Sequence, residues 1–224
     1  MPEACPPSAA KLEISQPRLF GLGAVLVVNG YGVVLVVPVL VAGMVMSLFK
    51  IGLLLCVLIP LLAIALTAFF LPFGLGNPHV TRLVRSLHPA TATSPDDFIV
   101  QVTLEPRLQS GLRALIEDAD DVGRLSFTAS ELVFQGDALQ FTVPFEQVAA
   151  VRQQNIGLRG LFVYRPRIAV VLSGLPQLQR IEFAERFSWL LPTSRQITKR
   201  LFQHLNTALD QRARVWPSGS DSRI

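Results

Sequence analysis

The chain has 224 residues, of which 50% are hydrophobic and 16% are charged. Soluble domains carry about 25% charged residues, so charge is depleted here. Length, composition and a count of two cysteines exclude a large multidomain enzyme, a disordered chain and a disulfide scaffold. The net charge is +3 over residues 1–95, −7 over residues 96–151 and +8 over residues 152–214. This distribution indicates an apolar segment followed by one domain with an acidic and a basic half.

Residues 1–18 are predicted to be a disordered N-terminus, and a long apolar segment follows them. From Leu19 to Leu75 the one charged residue is Lys50, which divides the segment into stretches 19–49 and 51–75. At 1.5 Å per residue these stretches measure about 46 and 37 Å as helices, whereas a bilayer core needs about 30 Å. A cleaved signal peptide would have a much shorter apolar region. The sequence therefore predicts a transmembrane hairpin over residues 19–75.

Small and polar residues within this segment are candidates for packing between the two helices. Gly43 and Ser47 are four residues apart, as are Gly52 and Cys56, and such pairs allow helix backbones to approach closely. Asn29 can form a hydrogen bond across a helix pair. The sequence therefore predicts hairpin packing through Asn29, Gly43, Ser47 and Gly52.

The flanking charges predict an orientation for the hairpin. Lys11 and Arg18 precede it, Arg82 and Arg85 follow it, and Lys50 lies between the helices. The positive-inside rule then places both termini in the cytoplasm. The prediction is an integral membrane protein of the inner or plasma membrane.

Residues 76–95 are predicted to be a juxtamembrane segment and linker. Their apolar residues recur at helical spacing, which predicts a short helix lying along the lipid headgroups. These residues are Val80, Leu83, Val84 and Leu87.

After residue 95 the pattern changes to short β-strands separated by turns. The predicted strands are 98–104, 123–128, 131–135, 139–143, 148–153, 161–164, 168–172 and 180–183. Pro192-Thr193-Ser194 then offers a helix start, followed by one apolar stripe of Ile197, Leu201, Leu205 and Leu209. The predicted fold class is α+β: behind the hairpin, residues 96–212 form a small antiparallel β-barrel or sandwich closed by a C-terminal helix. Residues 213–224 are predicted to be a flexible tail.

Three sequence patterns in this domain resemble PH-like domains of the GRAM and bacterial-PH type. They are Gly123-Arg124-Leu125-Ser126-Phe127-Thr128, Leu132-Val133-Phe134 and Phe141-Thr142-Val143-Pro144-Phe145-Glu146-Gln147-Val148. The resemblance implies a seven-stranded barrel that binds phosphoinositides, other anionic lipids or protein segments, or serves as a scaffold, without enzymatic activity. Residues 105–121 carry five acids against two arginines, which would repel a phosphoinositide headgroup from the family's usual lipid site.

No sequence motif for catalysis, a metal or a cofactor occurs. The histidines His79, His88 and His204 are spaced far apart, and no Cys/His cluster has metal-ligand spacing. The sequence therefore predicts no enzymatic activity, no metal, no cofactor and no nucleic-acid partner.

The segment 155–167 mixes glycine, apolar, aromatic and arginine residues, and two interpretations stay open. In one it is a loop that leads into a strand with alternate core residues. In the other it is a loop tip at which Arg159, Phe162, Arg165 and Arg167 contact an anionic lipid or a partner.

These observations predict a non-enzymatic recognition or scaffold module, tethered at the cytoplasmic membrane face. The alternative is an accessory subunit of a larger membrane complex, with the hairpin as its interface. The predicted partners are membrane lipids and either a protein partner or a second copy of the chain.

Overall fold

The computed structural model describes residues 11–14, 19–48, 52–70, 76–87, 97–108, 119–159, 163–173 and 178–215. These residues form four α-helices: α1 (Leu22–Leu48), α2 (Leu53–Phe70), α3 (Asn77–Leu87) and α4 (Leu191–Val215). They also form eight strands: β1 (Lys11–Ile14), β2 (Phe98–Glu105), β3 (Asp121–Phe127), β4 (Glu131–Gly136), β5 (Leu139–Pro144), β6 (Val148–Arg159), β7 (Val163–Leu172) and β8 (Arg180–Glu185).

The strands form one antiparallel sheet in the order β1-β5-β4-β3-β2-β8-β7-β6. Strands β2 to β5 are a meander, and strands β6 to β8 are a second meander that joins the first through the β2–β8 pair. A 3₁₀ turn over Phe145–Gln147 connects the two meanders. The eight predicted strands thus correspond to the seven strands β2 to β8, because two of them fall in β7.

The core lies between one face of the sheet and helix α4. Alternate residues along the strands point to this face, as strand geometry requires. The buried core side chains include Val100, Val102, Leu125, Phe134, Ile168 and Phe183. From α4, Leu201 and Leu205 are buried in the same core, and Ile197 and Leu209 pack against it. The predicted amphipathic C-terminal helix is therefore confirmed.

The prediction of a closed barrel or a sandwich is wrong. Closure requires the two edge strands to pair with each other. Here β1 is paired with β5 at one edge and β6 with β7 at the other, so the sheet is open. Helix α4 covers the core face, so the apolar residues are buried without closure of the sheet.

The predicted strand 168–172 and the described part of the predicted strand 161–164, residues 163 and 164, belong to one continuous strand, β7. Pro166 suggested a break because proline lacks the N–H group that a central strand needs. In the structure Pro166 pairs with Asn155 of β6, whereas β8 pairs with β7 from Ile168 to Val171. At Pro166 strand β7 therefore has a neighbour on one side, where proline is tolerated.

The prediction of a transmembrane hairpin is wrong. Within the described part of the chain, no helix combines the length and apolar character needed to cross a membrane. The 18 residues of α2 span about 27 Å, less than the bilayer core of about 30 Å. The predicted first span also began within the folded domain, because Phe20 is buried against Val80, Val84 and Val122. The integral membrane location and the orientation of the termini depended on that hairpin and are overturned with it.

Two further segments differ from the sequence prediction. Lys11–Ile14, within the predicted disordered N-terminus, pairs with residues 139–142 as strand β1. Residues 77–87 form a helix as predicted, but Val80 and Val84 of this helix are buried against the folded domain. The apolar face of α3 thus packs on protein, and the predicted placement of that face along lipid headgroups is wrong.

Two buried aspartates hold the turn between β4 and β5. Asp121 Oδ2 accepts hydrogen bonds from the backbone N–H groups of Ala138 at 2.9 Å and Leu139 at 2.7 Å. Asp137 accepts a hydrogen bond from the backbone N–H of Phe20, just before α1. The pair therefore fixes the turn and attaches the start of α1 to the sheet.

The stability of the chain should depend on pH through Asp121. Burial raises the pKa of Asp121 from 3.8 to about 6; backbone N–H donors oppose the rise, and the charge of Asp137 adds to it. Between these two values the folded state holds a proton that the unfolded state has lost. The contribution of Asp121 to the free energy of unfolding should therefore be largest below about pH 4 and fall by about 3 kcal/mol as the pH rises to about 6.

Denaturation at a series of pH values measures this dependence. Asp121→Asn should remove the decrease between pH 4 and 6, because asparagine does not titrate, and should lower stability below about pH 4 by replacing an acceptor in the turn. If the wild type and Asp121→Asn lose stability equally over this interval, another group is responsible.

Candidate interaction surface

Of the four contact residues predicted in segment 155–167, the structure describes the side chain of Arg167 alone. Arg159 lies at the end of β6, where its backbone pairs with Val163, and Arg165 lies in β7 opposite Ile156. The side chains of Arg159 and Arg165, and the whole of Phe162, lie outside the described residues. Arg167 is fully buried, which removes it from the predicted contact with a lipid or partner.

Arg167 instead belongs to a buried ion pair on the face of the sheet opposite the core. Its Nη1 donates to Thr103 Oγ1 at 3.1 Å and to Glu182 Oε2 at 3.2 Å. Arg180 donates to the other oxygen of Glu182 and to the side chain of Gln154. These contacts link β2, β8, β7 and β6, so the charges connect neighbouring strands.

The residues predicted to pack the helical hairpin occupy different environments. A Cβ atom on Gly43 would lie 2.6 Å from Cγ of Pro60 and 3.2 Å from the carbonyl oxygen of Cys56, so α1 and α2 approach closely there. Ser47 is exposed, and its hydroxyl donates to the carbonyl of Met44 in the same helix. Gly52 precedes α2 with open space around it. Asn29 lies in α1, and its side chain is outside the described residues.

Large apolar side chains cover much of the described outer surface of α1 and α2. They are between 44% and 76% exposed, and such exposure on adjoining helices marks an interaction surface. We call this set the hairpin surface; its members are Val37, Leu40, Val41, Met44, Val45, Leu48, Leu54, Leu55, Val57, Leu58, Ile59, Leu61 and Leu62.

The connection between β8 and α4, residues 186–190, presents two aromatic rings to solvent. Phe187 is 52% exposed and Trp189 is 51% exposed, whereas Arg186 and Ser188 are buried. We call this connection the aromatic loop. Sequence analysis missed it; the signal was an alternation of aromatic and polar residues just after a strand.

A buried network of hydrogen bonds holds the aromatic loop against α3 and the sheet. Arg186 Nε donates to Gln101 Oε1 at 2.6 Å, and its Nη1 donates to Asn77 Oδ1 at 3.3 Å. The side chain of Asn77 donates to the carbonyl of Ser188, whose backbone N–H donates to Glu185. The polar residues of the loop therefore point inward, and this arrangement leaves the two rings outside.

Exposed cations lie on the helices next to the aromatic loop. Arg82 and Arg85 are on the exposed side of α3, opposite the buried Val80 and Val84. Helix α4 begins directly after the loop and carries further exposed cations. We call this group the basic helix surface; its members are Arg82, Arg85, Arg195, Lys199 and Arg200.

Two observations concern the metal and small-molecule sites that the described residues could form. Among them, no group of three or more His, Cys, Asp or Glu side chains is placed to hold a metal ion. A shallow cavity between β1 and the β4–β5 hairpin has a volume of about 180 Å³, and Glu13, Gln135 and Gln140 are among its lining residues. Pockets for small molecules usually measure about 300–1,000 Å³.

Comparisons with known proteins do not add a relative to these observations. The chain has no significant match among protein-family models, curated proteins or solved structures.

Proposed function

We propose that this chain is a non-enzymatic recognition or scaffold module. The observation that supports this proposal is a contrast between the charged side chains buried in the domain and the side chains exposed on its surface. The buried charges described above, Arg167 with Glu182 and Arg186 with Gln101 and Asn77, connect strands and helices. The exposed groups instead form apolar, aromatic and basic surfaces, which suit contact with another macromolecule.

A relationship to PH-like domains is part of this proposal. A four-stranded meander, a three-stranded meander and a closing helix follow one another in the chain, and this order supports the resemblance. The open sheet departs from the seven-stranded barrel that the resemblance implies. The motifs that carry the resemblance lie in β3, β4 and β5 and in the turns that follow β3 and β5, and they supply core residues and turns. They therefore support a common scaffold more than a common ligand.

A second candidate function is that of an accessory subunit in a larger protein complex, with the hairpin surface as its interface. The exposed apolar side chains of α1 and α2 favour it, because burying apolar area contributes about 25 cal/mol per Å². Its expected partner surface is another apolar helix pair, which would pack against these side chains as helices pack in a bundle.

Cross-linking of the full chain in the cells that produce it distinguishes the two functions. The informative variant is Leu40→Gln/Leu58→Gln, which places polar groups on the hairpin surface, where these leucines are 54% and 55% exposed. The matched control is Leu12→Gln on β1, where the leucine is 42% exposed. Loss of a cross-linked partner in the double variant alone supports the subunit function. Retention of the partner in all three proteins supports recognition by the folded domain, and a chain without any cross-linked protein contradicts the subunit function.

A further inference from the structure

We propose that the aromatic loop and the basic helix surface together bind the anionic headgroup region of a lipid bilayer. In this arrangement Phe187 and Trp189 enter the interface, and Arg82 and Arg85 contact lipid phosphates. The inference rests on the proposed function as a recognition module and names its partner. Phe187 and Trp189 lie outside segment 155–167. Arg82 and Arg85 lie on the exposed side of α3, whereas sequence analysis placed the apolar side of this helix on the headgroups.

The charge of this surface has one sign. Residues 77–87 and 186–209 contain no aspartate and no glutamate. They contribute the five exposed cations of the basic helix surface. These two segments therefore attract an anionic surface, and each cation near such a surface strengthens binding about fivefold.

The aromatic loop is held in place before it meets a partner. The side chains of Arg186 and Asn77 form the hydrogen bonds described above. In addition, the backbone N–H of Arg186 donates to the carbonyl of Ile99 at 2.9 Å. The Ser188 hydroxyl also bonds to the backbone of Leu190. A loop fixed in this way loses little conformational freedom on binding, so exposed rings on it are suited to insertion.

The arrangement around the loop favours a lipid surface over an acidic protein. Helix α1 contacts α3, and α2 contacts α4, so the hairpin leaves the folded domain beside the helices that flank the loop. Leu19, just before α1, is 59% exposed. The surface thus combines apolar, aromatic and cationic side chains, a combination typical of protein regions at the boundary between acyl chains and headgroups.

Fluorescence of Trp189 in the full chain tests the proposal. The chain has two tryptophans, so Trp216→Phe leaves Trp189 as the one tryptophan. The probes are vesicles of phosphatidylcholine alone or with about one third phosphatidylserine, prepared with lipids brominated near the carbonyls or near the middle of the chains. We expect anionic vesicles to shift Trp189 emission to shorter wavelength, and the shallow bromines to quench it more strongly than the deep ones.

Charge variants identify the contacting cations. Arg82→Gln and Arg85→Gln should each reduce partition into anionic vesicles about fivefold at low salt. The matched control is Arg152→Gln, which removes an exposed arginine on β6. Its neighbour Val151 packs against the core, so Arg152 faces away from α4, and this variant should bind like wild type. Phe187→Ala should lower the part of binding that remains at high salt.

Three results would overturn the proposal: unquenched Trp189 with both brominated lipids, equal emission with neutral and anionic vesicles, or equal effects of the α3 and control arginine variants. The cross-linking experiment on the hairpin surface does not depend on any of them. A lost lipid contact with a retained cross-linked partner would therefore reject this inference and leave the proposed function standing.

Discussion

Replacing Arg167 with methionine should lower the free energy of unfolding by about 3–5 kcal/mol, because one partner of a buried ion pair is removed. Glu182 is 3% exposed, so water does not solvate its charge when Arg167 is lost. Glu182 keeps the contact with Arg180, which places the expected loss near the lower end of this range. Methionine keeps much of the apolar volume of arginine. The lost stability therefore reflects removal of the charge more than creation of a cavity. Chemical denaturation followed by circular dichroism measures it.

Two further variants separate the ion pair from its surroundings. Arg180→Met removes another arginine that binds Glu182, but Arg180 is 26% exposed, so the cost should be about 1 kcal/mol or less. The double variant Arg167→Met/Glu182→Leu should recover most of the stability lost in Arg167→Met, because no charge is then left buried. A double variant that loses the sum of the single losses would show that the two residues do not act as a pair.

The position of Arg167 shows why sequence analysis located the strands better than the contact surface. The alternation of apolar residues identified β7, but alternation alone assigns the intervening positions to the side away from the core. An arginine at such a position is normally exposed. Here the opposite face is also buried, and Thr103 and Glu182 are distant from Arg167 in the chain. Contacts over such separations leave no local pattern in the sequence.

The aromatic loop was missed for a related reason. Its alternation of Phe187 and Trp189 with polar residues is compatible with the end of a strand, and sequence analysis predicted none of its contacts. What orients the rings is the attachment of Arg186 and Ser188 to Asn77, more than a hundred residues away. Helix α3 was predicted from the helical spacing of its apolar residues. The protein surface that it packs against could not be predicted in this way.

The largest error of the sequence prediction concerns the apolar segment, residues 19–75. Composition alone does not determine whether such a segment lies in lipid or against protein. The helices α1 and α2 exist, and the close approach at Gly43 lies within the hairpin. The predicted length counted Phe20, near the start of the segment, as lipid-facing. Phe20 belongs to a buried cluster of the folded domain, and its backbone is bonded to Asp137. Apolar character is shared by residues of a protein core and residues in lipid, so it did not distinguish them.

Replacing Leu201 with alanine should lower the free energy of unfolding by about 2–5 kcal/mol. Leu201 is 1% exposed and lies with Leu205 in the core between α4 and the sheet. Because the sheet is open, α4 covers its apolar face. A cavity at Leu201 therefore weakens the packing of α4 against the sheet. The total stability of a domain is about 5–15 kcal/mol, so the variant should unfold at a markedly lower denaturant concentration.

The matched control for this substitution is Leu12→Ala on the edge strand β1, where the leucine is 42% exposed. This variant deletes the same atoms from a partly exposed side chain and so creates little or no cavity. The free energy of unfolding should therefore change by no more than about 0.5 kcal/mol. A loss below about 1 kcal/mol in Leu201→Ala would mean that α4 does not close the core. The same result would weaken the lipid-binding proposal, because the aromatic loop leads directly into this helix and depends on its position.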